Sequence, residues 1–263
     1  MPRALITGCS SGIGRALVHE LARRDYDVVA TARKVETLDD LPAVQRLHLD
    51  VTDNDSVLAA FEAAGDVDVL VNNAGITCWG PVETLPLPDI ERLVDTNVLG
   101  PVRCVKAALP GMRERGSGAI VTVSSATARG RGGPGLGFYT MTKHAVEVMC
   151  EMLRAEVARF GIRVIVVEPG AIESSFPQNR VIGGFDEPGP YADFGKALIE
   201  LIGSARSSTY PSSTVAEVIA DALEEERPAL RRPGSPDAVA IIERGAALDE
   251  ATFEANFWAS VDA

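Results

Sequence analysis

The sequence predicts an α/β fold in which a parallel sheet is covered by helices on both faces. Short apolar runs, typical of strands buried on both sides, alternate with longer segments whose apolar residues recur at helical spacing. The first unit is the clearest. Its apolar run at 4–6 breaks into a turn with three glycines, and apolar positions 13, 17, 18 and 21 follow. No linker or internal repeat interrupts the alternation, so we expect one domain over residues 1–263.

The remaining elements are predicted in order along the chain. Six further apolar runs predict strands at 27–33, 45–49, 67–71, 119–123, 162–167 and 228–232. Helical spacing predicts one helix that begins near the cap Thr52, and others over 88–112, 138–160, 215–226 and 237–244. The glycine-rich stretch 126–138 is expected to be a loop. The tail at 253–258 is expected to be partly disordered or to cover a neighbour.

Composition and charge argue against several classes of function. A net charge of −12 without a basic stripe argues against binding to nucleic-acid phosphates. No segment approaches the roughly 20 apolar residues of a membrane span. The four cysteines have neither disulfide nor metal-site spacing, and Cys9 is either a redox-sensitive thiol or a small residue tolerated in the glycine turn. A strand follows Met1 almost at once, so we expect no signal peptide and a cytoplasmic protein.

Polar or glycine clusters directly follow five of the predicted strands. In an open parallel sheet these clusters gather at one carboxyl edge, where ligands bind. The glycine turn, followed by a helix N-terminus, also presents backbone N–H groups suited to a pyrophosphate, and glycine is needed where a Cβ would block the approach. The clusters are Thr7-Gly8, Asp50, the stretch 72–75, Ser124-Ser125 and Pro169-Gly170.

In this order, these residues resemble the short-chain dehydrogenase/reductase family over nearly the whole chain. The sequence around these residues is similar to that of hydroxysteroid dehydrogenase-like and bacterial ketoreductase members of the family. The resemblance implies a Rossmann-type doubly wound sheet, a nicotinamide cofactor, hydride transfer between a ketone and a secondary alcohol, and a substrate lid at 173–211. The matching motifs are Thr7-Gly8-x3-Gly12-x-Gly14, Asp50-Val51, Asn72-Asn73-Ala74-Gly75, Asn97, Ser125, Tyr139-x3-Lys143 and Pro169-Gly170.

Tyr139 and Lys143 lie four residues apart on one predicted helix, so their side chains share a face and can meet. A phenol with a pKa of about 10 is a poor base at neutral pH. A nearby ammonium and the positive ring of an oxidised nicotinamide both favour the phenolate and lower that pKa. The resemblance implies that Tyr139 exchanges a proton with the substrate oxygen, that Lys143 also binds the cofactor ribose, and that Ser125 donates to the substrate oxygen.

Two of these assignments leave alternatives open. Ser125 precedes Tyr139 by fourteen positions, one more than is usual in the family, so Ser124 stays a candidate for the same role. Asn97 lies inside an otherwise apolar helix face. It either supports a water that leads protons towards Lys143, as the resemblance implies, or is a buried asparagine satisfied by backbone.

The residues after the second predicted strand favour NADP(H) over NAD(H). An acidic residue at this place would bind the ribose 2′-hydroxyl of NAD, whereas this chain has Arg33 and Lys34 and no carboxylate before Glu36. A guanidinium can bind a phosphate through two hydrogen bonds. The other predicted cofactor contacts are Gly8, Ser10, Ser11, Gly12, Ile13, Gly14, Asp50, Val51, Asn73, Ala74, Gly75, Tyr139, Lys143, Pro169, Gly170, Ile172 and Ser174.

The sequence therefore predicts an NADP(H)-dependent enzyme that reduces a bulky, apolar ketone. The alternatives are an NAD-dependent alcohol dehydrogenase, a relative that catalyses epimerisation or dehydration in the same site, and a cofactor-binding sensor without turnover. We expect no metal, nucleic-acid or membrane partner. An apolar stripe in the segment 173–211 is expected to close over the substrate, and it consists of Tyr191, Phe194, Leu198 and Leu201.

The two longest predicted helices carry more apolar residues than one sheet contact requires. Such a surplus indicates a second buried face and hence a homodimer or homotetramer. The surplus residues are Leu99 and Leu109 on the first helix and Val146, Val148 and Met152 on the second.

Overall fold

A seven-stranded parallel sheet forms the centre of the part of the chain that the computed structural model describes, which is residues 1–133, 135–173, 180–183, 189–205 and 209–261. The strands of this sheet are β1 (Arg3–Ile6), β2 (Asp27–Ala32), β3 (Gln45–His48), β4 (Val69–Asn72), β6 (Gly118–Val123), β7 (Ile162–Glu168) and β9 (Arg231–Pro233). The strand order is β3-β2-β1-β4-β6-β7-β9, and the predicted Rossmann-type doubly wound fold is confirmed. Two short strands that sequence analysis missed, β5 (Thr77–Trp79) and β8 (Arg180–Ile182), pair in parallel beside it.

Helices cover both faces of the sheet because alternate strand residues point to opposite sides. The helices are α1 (Gly12–Arg23), α2 (Asn54–Ala64), α3 (Leu87–Val94), α4 (Gly100–Arg115), α5 (Ala126–Gly130), α6 (Gly137–Val157), α7 (Ala192–Ala205), α8 (Ser212–Glu224), α9 (Pro236–Ala247) and α10 (Glu250–Val261). Leu5, Val29 and Leu70 share one register and pack in a core against α2, α4 and α6, while their strand neighbours pack in a second core against α1 and α8.

Several predicted boundaries are wrong, each for a local reason. The helix predicted at 88–112 is α3 and α4 joined by a π-helical turn, Asp95–Leu99. Helix α2 is capped by Asp53 and not by Thr52, since the Asp53 carboxylate accepts from the N–H groups of Asp55 and Ser56 at 2.9 and 3.3 Å. The last strand begins at residue 231 and not at 228.

The predicted loop and the predicted tail both contain helix. The stretch after Ser125 forms the short helix α5, and the tail at 253–258 lies within α10, so the expectation of partial disorder there is wrong. The Arg131 guanidinium lies 5.5 Å from the centroid of the Phe253 ring, which ties the tail to the stretch after α5.

Only part of the predicted lid lies within the described residues. Tyr191 donates to Glu83 at 2.8 Å and meets Phe194 edge to face, with 6.4 Å between the ring centroids. Leu198 is 2% exposed and packs against the stretch before α6. These contacts agree with a stripe that packs on the protein. The same segment contains Pro177, Gly184 and Pro188, which lie outside the described residues, as does the side chain of Leu201.

Helices α5 and α9 cross with their backbones in contact, and this contact yields a test of the packing. A Cβ on Gly245 would fall against the backbone carbonyl of Gly130, which cannot rotate away. We therefore expect Gly245→Ala to destabilise the protein by about 1–3 kcal/mol, which corresponds to a melting temperature lower by about 2–10 °C in calorimetry. Among the described residues, a Cβ on Gly133 would meet nothing within 4 Å, so Gly133→Ala is the matched control. Equal melting temperatures for the two variants would contradict this packing.

Candidate active site

The glycine turn after β1 is joined to the end of β4 by the hydroxyl of Thr7. The N–H groups of Asn73 and Ala74 both donate to Thr7 Oγ1 at 3.0 Å, and Asn73 Nδ2 donates to the carbonyls of Thr7 and Gly8 at 2.9 and 3.1 Å. A Cβ on Gly8 would lie 2.9 Å from Ala74 Cα, and one on Gly14 would lie 2.5 Å from Asn73 Nδ2. Side chains at these two positions would therefore push the two loops apart.

Helix α1 begins at this turn, and residues 10–13, which include its first two residues, line a cleft. Its N-cap residue, Ser11, makes no side-chain capping hydrogen bond, and no acidic residue lies in the first turn. Uncapped N–H donors next to glycines suit the pyrophosphate of a dinucleotide. The donor set and the absent Cβ atoms thus fit the cofactor that the fold implies.

The cleft has a volume of about 1100 Å³ and runs along the carboxyl edge of the sheet. It lies where the strand order reverses between β1 and β4, the usual place for a ligand in such a sheet. Gly14 and Asn97 are not in its lining, and Ser174 lies outside the described residues. The predicted site residues that line it are Gly8, Ser10, Ser11, Gly12, Ile13, Arg33, Asp50, Val51, Asn73, Ala74, Gly75, Ser125, Tyr139, Lys143, Pro169, Gly170 and Ile172.

At one end of the cleft, Arg33 lies exposed just beyond β2. It is close enough to Asp50 for its positive charge to affect the pKa of that carboxyl. Burial alone would raise the pKa of Asp50, but hydrogen bonds from Thr52 and the charge of Arg33 outweigh burial and lower this pKa. The Thr52 hydroxyl and N–H reach Asp50 Oδ1 at 2.7 and 3.0 Å. Asp50 is thus a hydrogen-bonded carboxylate at this end of the cleft.

Further along the cleft, α6 brings Tyr139 and Lys143 together beside Ser125. The Lys143 ammonium donates to the Val123 carbonyl at 2.9 Å and lies 5.7 Å from the centroid of the Tyr139 ring. Burial lowers the pKa of Lys143 to about 8, with a partly opposing effect of Glu147. Burial also raises the pKa of Tyr139 to about 12, opposed by a hydrogen bond with Ser125. The lowered Tyr139 pKa expected from the sequence therefore does not arise from the protein groups alone.

The two adjacent serines point to different partners. The Ser124 hydroxyl donates to Glu147 Oε1 at 2.7 Å, in a buried contact. Ser125 faces Tyr139, and its hydroxyl oxygen accepts from the Thr127 hydroxyl at 2.9 Å. The long spacing to Tyr139 is accommodated by α5 and by a left-handed Arg131, with φ of 55°. The geometry thus brings Ser125, and not Ser124, to the tyrosine.

Asn97 lies in the π-helical turn, behind the cleft wall, and is 2% exposed. Its amide nitrogen donates to the Ile76 carbonyl at 2.9 Å and to the Thr142 hydroxyl at 3.1 Å, and its oxygen accepts from the Ile76 N–H at 2.9 Å. These contacts agree with the alternative of a buried asparagine satisfied mainly by backbone. A role in supporting a water remains a prediction from the resemblance.

Sequence analysis missed a group of residues whose hydrogen bonds fix the backbone and a buried carboxylate beside the cleft. The Ser235 hydroxyl accepts from the Gly170 N–H at 3.1 Å, and Asp237 accepts from the Ala171 N–H at 2.7 Å. Arg231 donates to the buried Glu147 at 2.8 Å. Glu147 had a signal in the sequence, because it follows Lys143 at helical spacing. The three hydrogen bonds themselves join residues more than 60 positions apart, so no local sequence pattern predicts them.

Other expectations can be examined within the described residues. Cys9 donates to the Ile6 carbonyl, and burial raises the pKa of its thiol to about 12, which favours the tolerated small residue over a reactive thiol. In the described part of the chain, no group of three or more histidine, cysteine or acidic side chains is placed to bind a metal. No helix among those residues is both long enough and apolar enough to span a bilayer.

Comparisons with known proteins agree with this geometry. The family described as short chain dehydrogenase matches residues 2–181. The chain is 36% identical to oxidoreductase BOA17 of Botryotinia fuckeliana over 260 residues, which cover 95% of this chain and 94% of the relative. It is 35% identical to human 17-beta-hydroxysteroid dehydrogenase type 1 over 249 residues, which cover 86% of this chain and 75% of the relative.

Solved structures give the same result. A short-chain dehydrogenase from Streptomyces avermitilis superimposes with a TM-score of 0.83 at 34% identity and covers 100% of this chain and 98% of its own. One from Burkholderia cenocepacia, in complex with NADP, has a TM-score of 0.78 at 27% identity and covers 97% of each chain. The chain therefore belongs to the short-chain dehydrogenase/reductase family, oxidoreductases that act on alcohols and ketones with an NAD(P) cofactor.

Proposed function

We propose that this protein is an NADP(H)-dependent reductase of bulky, apolar ketones. The observation that carries the proposal is the meeting of Tyr139, Ser125 and Lys143 at one wall of the cleft, next to the glycine turn. A hydroxyl donor, a proton donor and a buried ammonium at one point are the groups that a carbonyl reduction requires from its protein. A sensor without turnover would not require all three.

Apart from Arg33, the residues that would hold the cofactor along the sheet edge come from four strand ends. The glycine turn and the N-terminus of α1 would bind the pyrophosphate, Asp50 and Val51 would flank the adenine, and the stretch 73–75 would flank the adenine-side ribose and ring. Ile172 and the loop at 169–170 would lie by the nicotinamide. When bound, the reduced cofactor supplies the hydride.

The protein groups provide the proton and the orientation. Ser125 donates to the carbonyl oxygen of the ketone and holds that oxygen against Tyr139. Because its pKa is raised to about 12, Tyr139 is protonated at neutral pH and can donate its proton to the alkoxide that forms. The Lys143 ammonium stabilises the phenolate left on Tyr139 and is itself held by the Val123 carbonyl. This protonation pattern favours reduction.

An apolar substrate is supported by the wall of the cleft beyond Tyr139. Ile76, Trp79 and Leu136 line it, together with Ile241 from α9. Large apolar side chains with a few directed polar groups are typical of sites for bulky organic ligands. The relatives named as hydroxysteroid dehydrogenases support the same substrate class.

Tyr139→Phe removes only the hydroxyl that donates the proton. We expect turnover of the ketone to fall by about 10²–10⁴-fold, while NADPH still binds in a fluorescence titration. Tyr26→Phe is the control, because Tyr26 lies away from the cleft lining, and we expect its turnover to be close to that of the parent. If Tyr139→Phe keeps most of its activity, the proton comes from another group and this part of the proposal is wrong.

Arg33 supports NADP(H) as the preferred cofactor, since its exposed guanidinium lines the cleft where a 2′-phosphate would lie. One charged hydrogen-bonded contact contributes about 1.5–3 kcal/mol, so we expect kcat/KM to favour NADPH over NADH by at least about tenfold.

Arg33→Asp should abolish or invert that ratio, because a carboxylate repels the phosphate and accepts from a 2′-hydroxyl. Arg113→Asp makes the same charge change at an exposed position of α4, away from the cleft, and should leave the ratio unchanged. A parent enzyme that uses NADPH and NADH equally well would refute the preference.

Self-association is supported by exposed apolar side chains on α6 and on the π-helical turn before α4. Leu99, Val148 and Met152 are 45%, 59% and 52% exposed. The surplus is smaller than the sequence suggested, because Val146 is buried at 1% and Leu109 packs against the core. We propose that the three exposed residues contribute to the face of a homodimer or homotetramer.

The double variant Val148→Glu/Met152→Glu should dissociate this oligomer, because burying two carboxylates in an apolar interface is unfavourable. Light scattering at micromolar concentration should then show the parent as an oligomer and the double variant as a monomer. Val44→Glu, at another exposed valine, should remain oligomeric. A monomeric parent would contradict the proposed face.

A further inference from the structure

A buried carboxylate lies one helical turn beyond Lys143. Glu147 is 2% exposed, and each of its oxygens is occupied: Ser124 donates to Oε1 at 2.7 Å and Arg231 donates to Oε2 at 2.8 Å. Tyr139, Lys143 and Glu147 follow one another at intervals of four residues, so they share one face of α6. The proposed reaction gives Glu147 no direct part.

This face of α6 holds the end of β6 at three consecutive residues, 123–125. The first is held through its carbonyl oxygen and the other two through their hydroxyls. The geometry that orients Ser125 therefore depends on all three contacts. They join Lys143 to the Val123 carbonyl at 2.9 Å, Glu147 to the Ser124 hydroxyl at 2.7 Å, and Tyr139 to the Ser125 hydroxyl.

We infer that Glu147 is a positioning residue of this site, which fixes the end of β6 so that Ser125 faces Tyr139 and which keeps the Lys143 ammonium charged. The inference rests on the proposed function, in that Tyr139 and Lys143 are taken as the reacting pair. It assigns Glu147 no contact with substrate or cofactor.

The electrostatic part follows from the charges around Lys143. Burial disfavours its ammonium and lowers its pKa to about 8, and the charge of Glu147 acts in the opposite direction. On α6, Tyr139 is neutral at neutral pH and Glu151 is half exposed and paired with Arg231. Without Glu147, the ammonium would therefore lose its proton at a lower pH.

The remaining charges on neighbouring elements balance one another. Arg129 of α5 binds both oxygens of Glu168 of β7 at 2.6 and 2.7 Å, so this pair contributes little net charge. Arg231 of β9 opposes the charge of Glu147. Removing Glu147 and removing Arg231 should therefore affect Lys143 in opposite directions.

The test measures the titration of Lys143 directly, on the protein without cofactor. The chain has only four lysines, so lysine-selective isotope labelling gives few NMR signals, and Lys143→Arg identifies the one of interest. We expect Glu147→Gln, which keeps the shape and an acceptor for Ser124, to shift the Lys143 midpoint down by about one pH unit. Arg231→Gln should shift it up. Glu151→Gln, which removes an exposed partner of the same arginine, is the control and should leave it within about 0.2 unit.

Kinetics of the loaded enzyme test the consequence for the reaction. The alkaline limb of the kcat profile reports loss of the Lys143 proton, so in Glu147→Gln this limb should move to lower pH while KM for the ketone changes less than twofold. Ser124→Ala keeps the charge and removes the hydroxyl. It should lower kcat about tenfold through a misplaced Ser125, with the Lys143 midpoint unchanged.

An unchanged Lys143 midpoint in folded Glu147→Gln overturns the electrostatic part, and unchanged kcat in Ser124→Ala overturns the positioning part. If Glu147→Gln does not fold, Arg231→Gln decides the electrostatic part. An Arg231→Gln protein whose Lys143 midpoint does not rise would then overturn it. A parent without ketone turnover would defeat the proposed function alone, because the NMR titrations would still decide whether Glu147 governs the charge of Lys143.

Discussion

The hydroxyl of Thr7 accepts two backbone hydrogen bonds from the loop after β4, and the geometry of the cleft at the glycine turn depends on this connection. Parallel strands do not align their following loops by themselves, since the ladder ends with the strands. Here one side chain continues the connection between β1 and β4 beyond the last strand residues, at the point where the strand order reverses. The missing Cβ atoms of Gly8 and Gly14 let the joined loops approach closely.

The part of the cleft at Tyr139 is built from buried charges instead. Lys143, Glu147 and Glu168 are 6%, 2% and 0% exposed, and each has a polar or oppositely charged partner in the structure. A buried charge is tolerated only when it is paired and hydrogen-bonded. The partners of Lys143 and Glu147 come from β6, the residue after it and β9, so these contacts also fix how β6 and β9 lie against α6. Arg129 of α5 pairs with Glu168 of β7 and joins those two elements in the same way. The same residues therefore serve both electrostatics and positioning.

The sequence predicts those features that depend on residues close together along the chain. Strand ends, the glycine turn and the spacing of Tyr139 and Lys143 are local patterns, and the fold drawn from them is confirmed. The π-helical turn was not predicted, because one extra residue in a turn hardly changes the apolar spacing of the helix predicted at 88–112. The upward shift of the Tyr139 pKa was not predicted, because it depends on how completely other segments bury the ring, and residue spacing does not reveal this. Arg231 and Ser235 escaped because their partners are distant in sequence.

The family match ends at residue 181, yet β9 and the start of α9 complete the site. During synthesis, the strands from β1 to β7, the glycine turn and the face of α6 all emerge before this last segment. Until residue 231 is added, the carboxylate of Glu147 has no arginine, and until residue 237 is added, the backbone N–H groups of Gly170 and Ala171 lack their acceptors. The contacts that hold the site are thus complete only after the segment 231–237 has been synthesised and has joined the sheet.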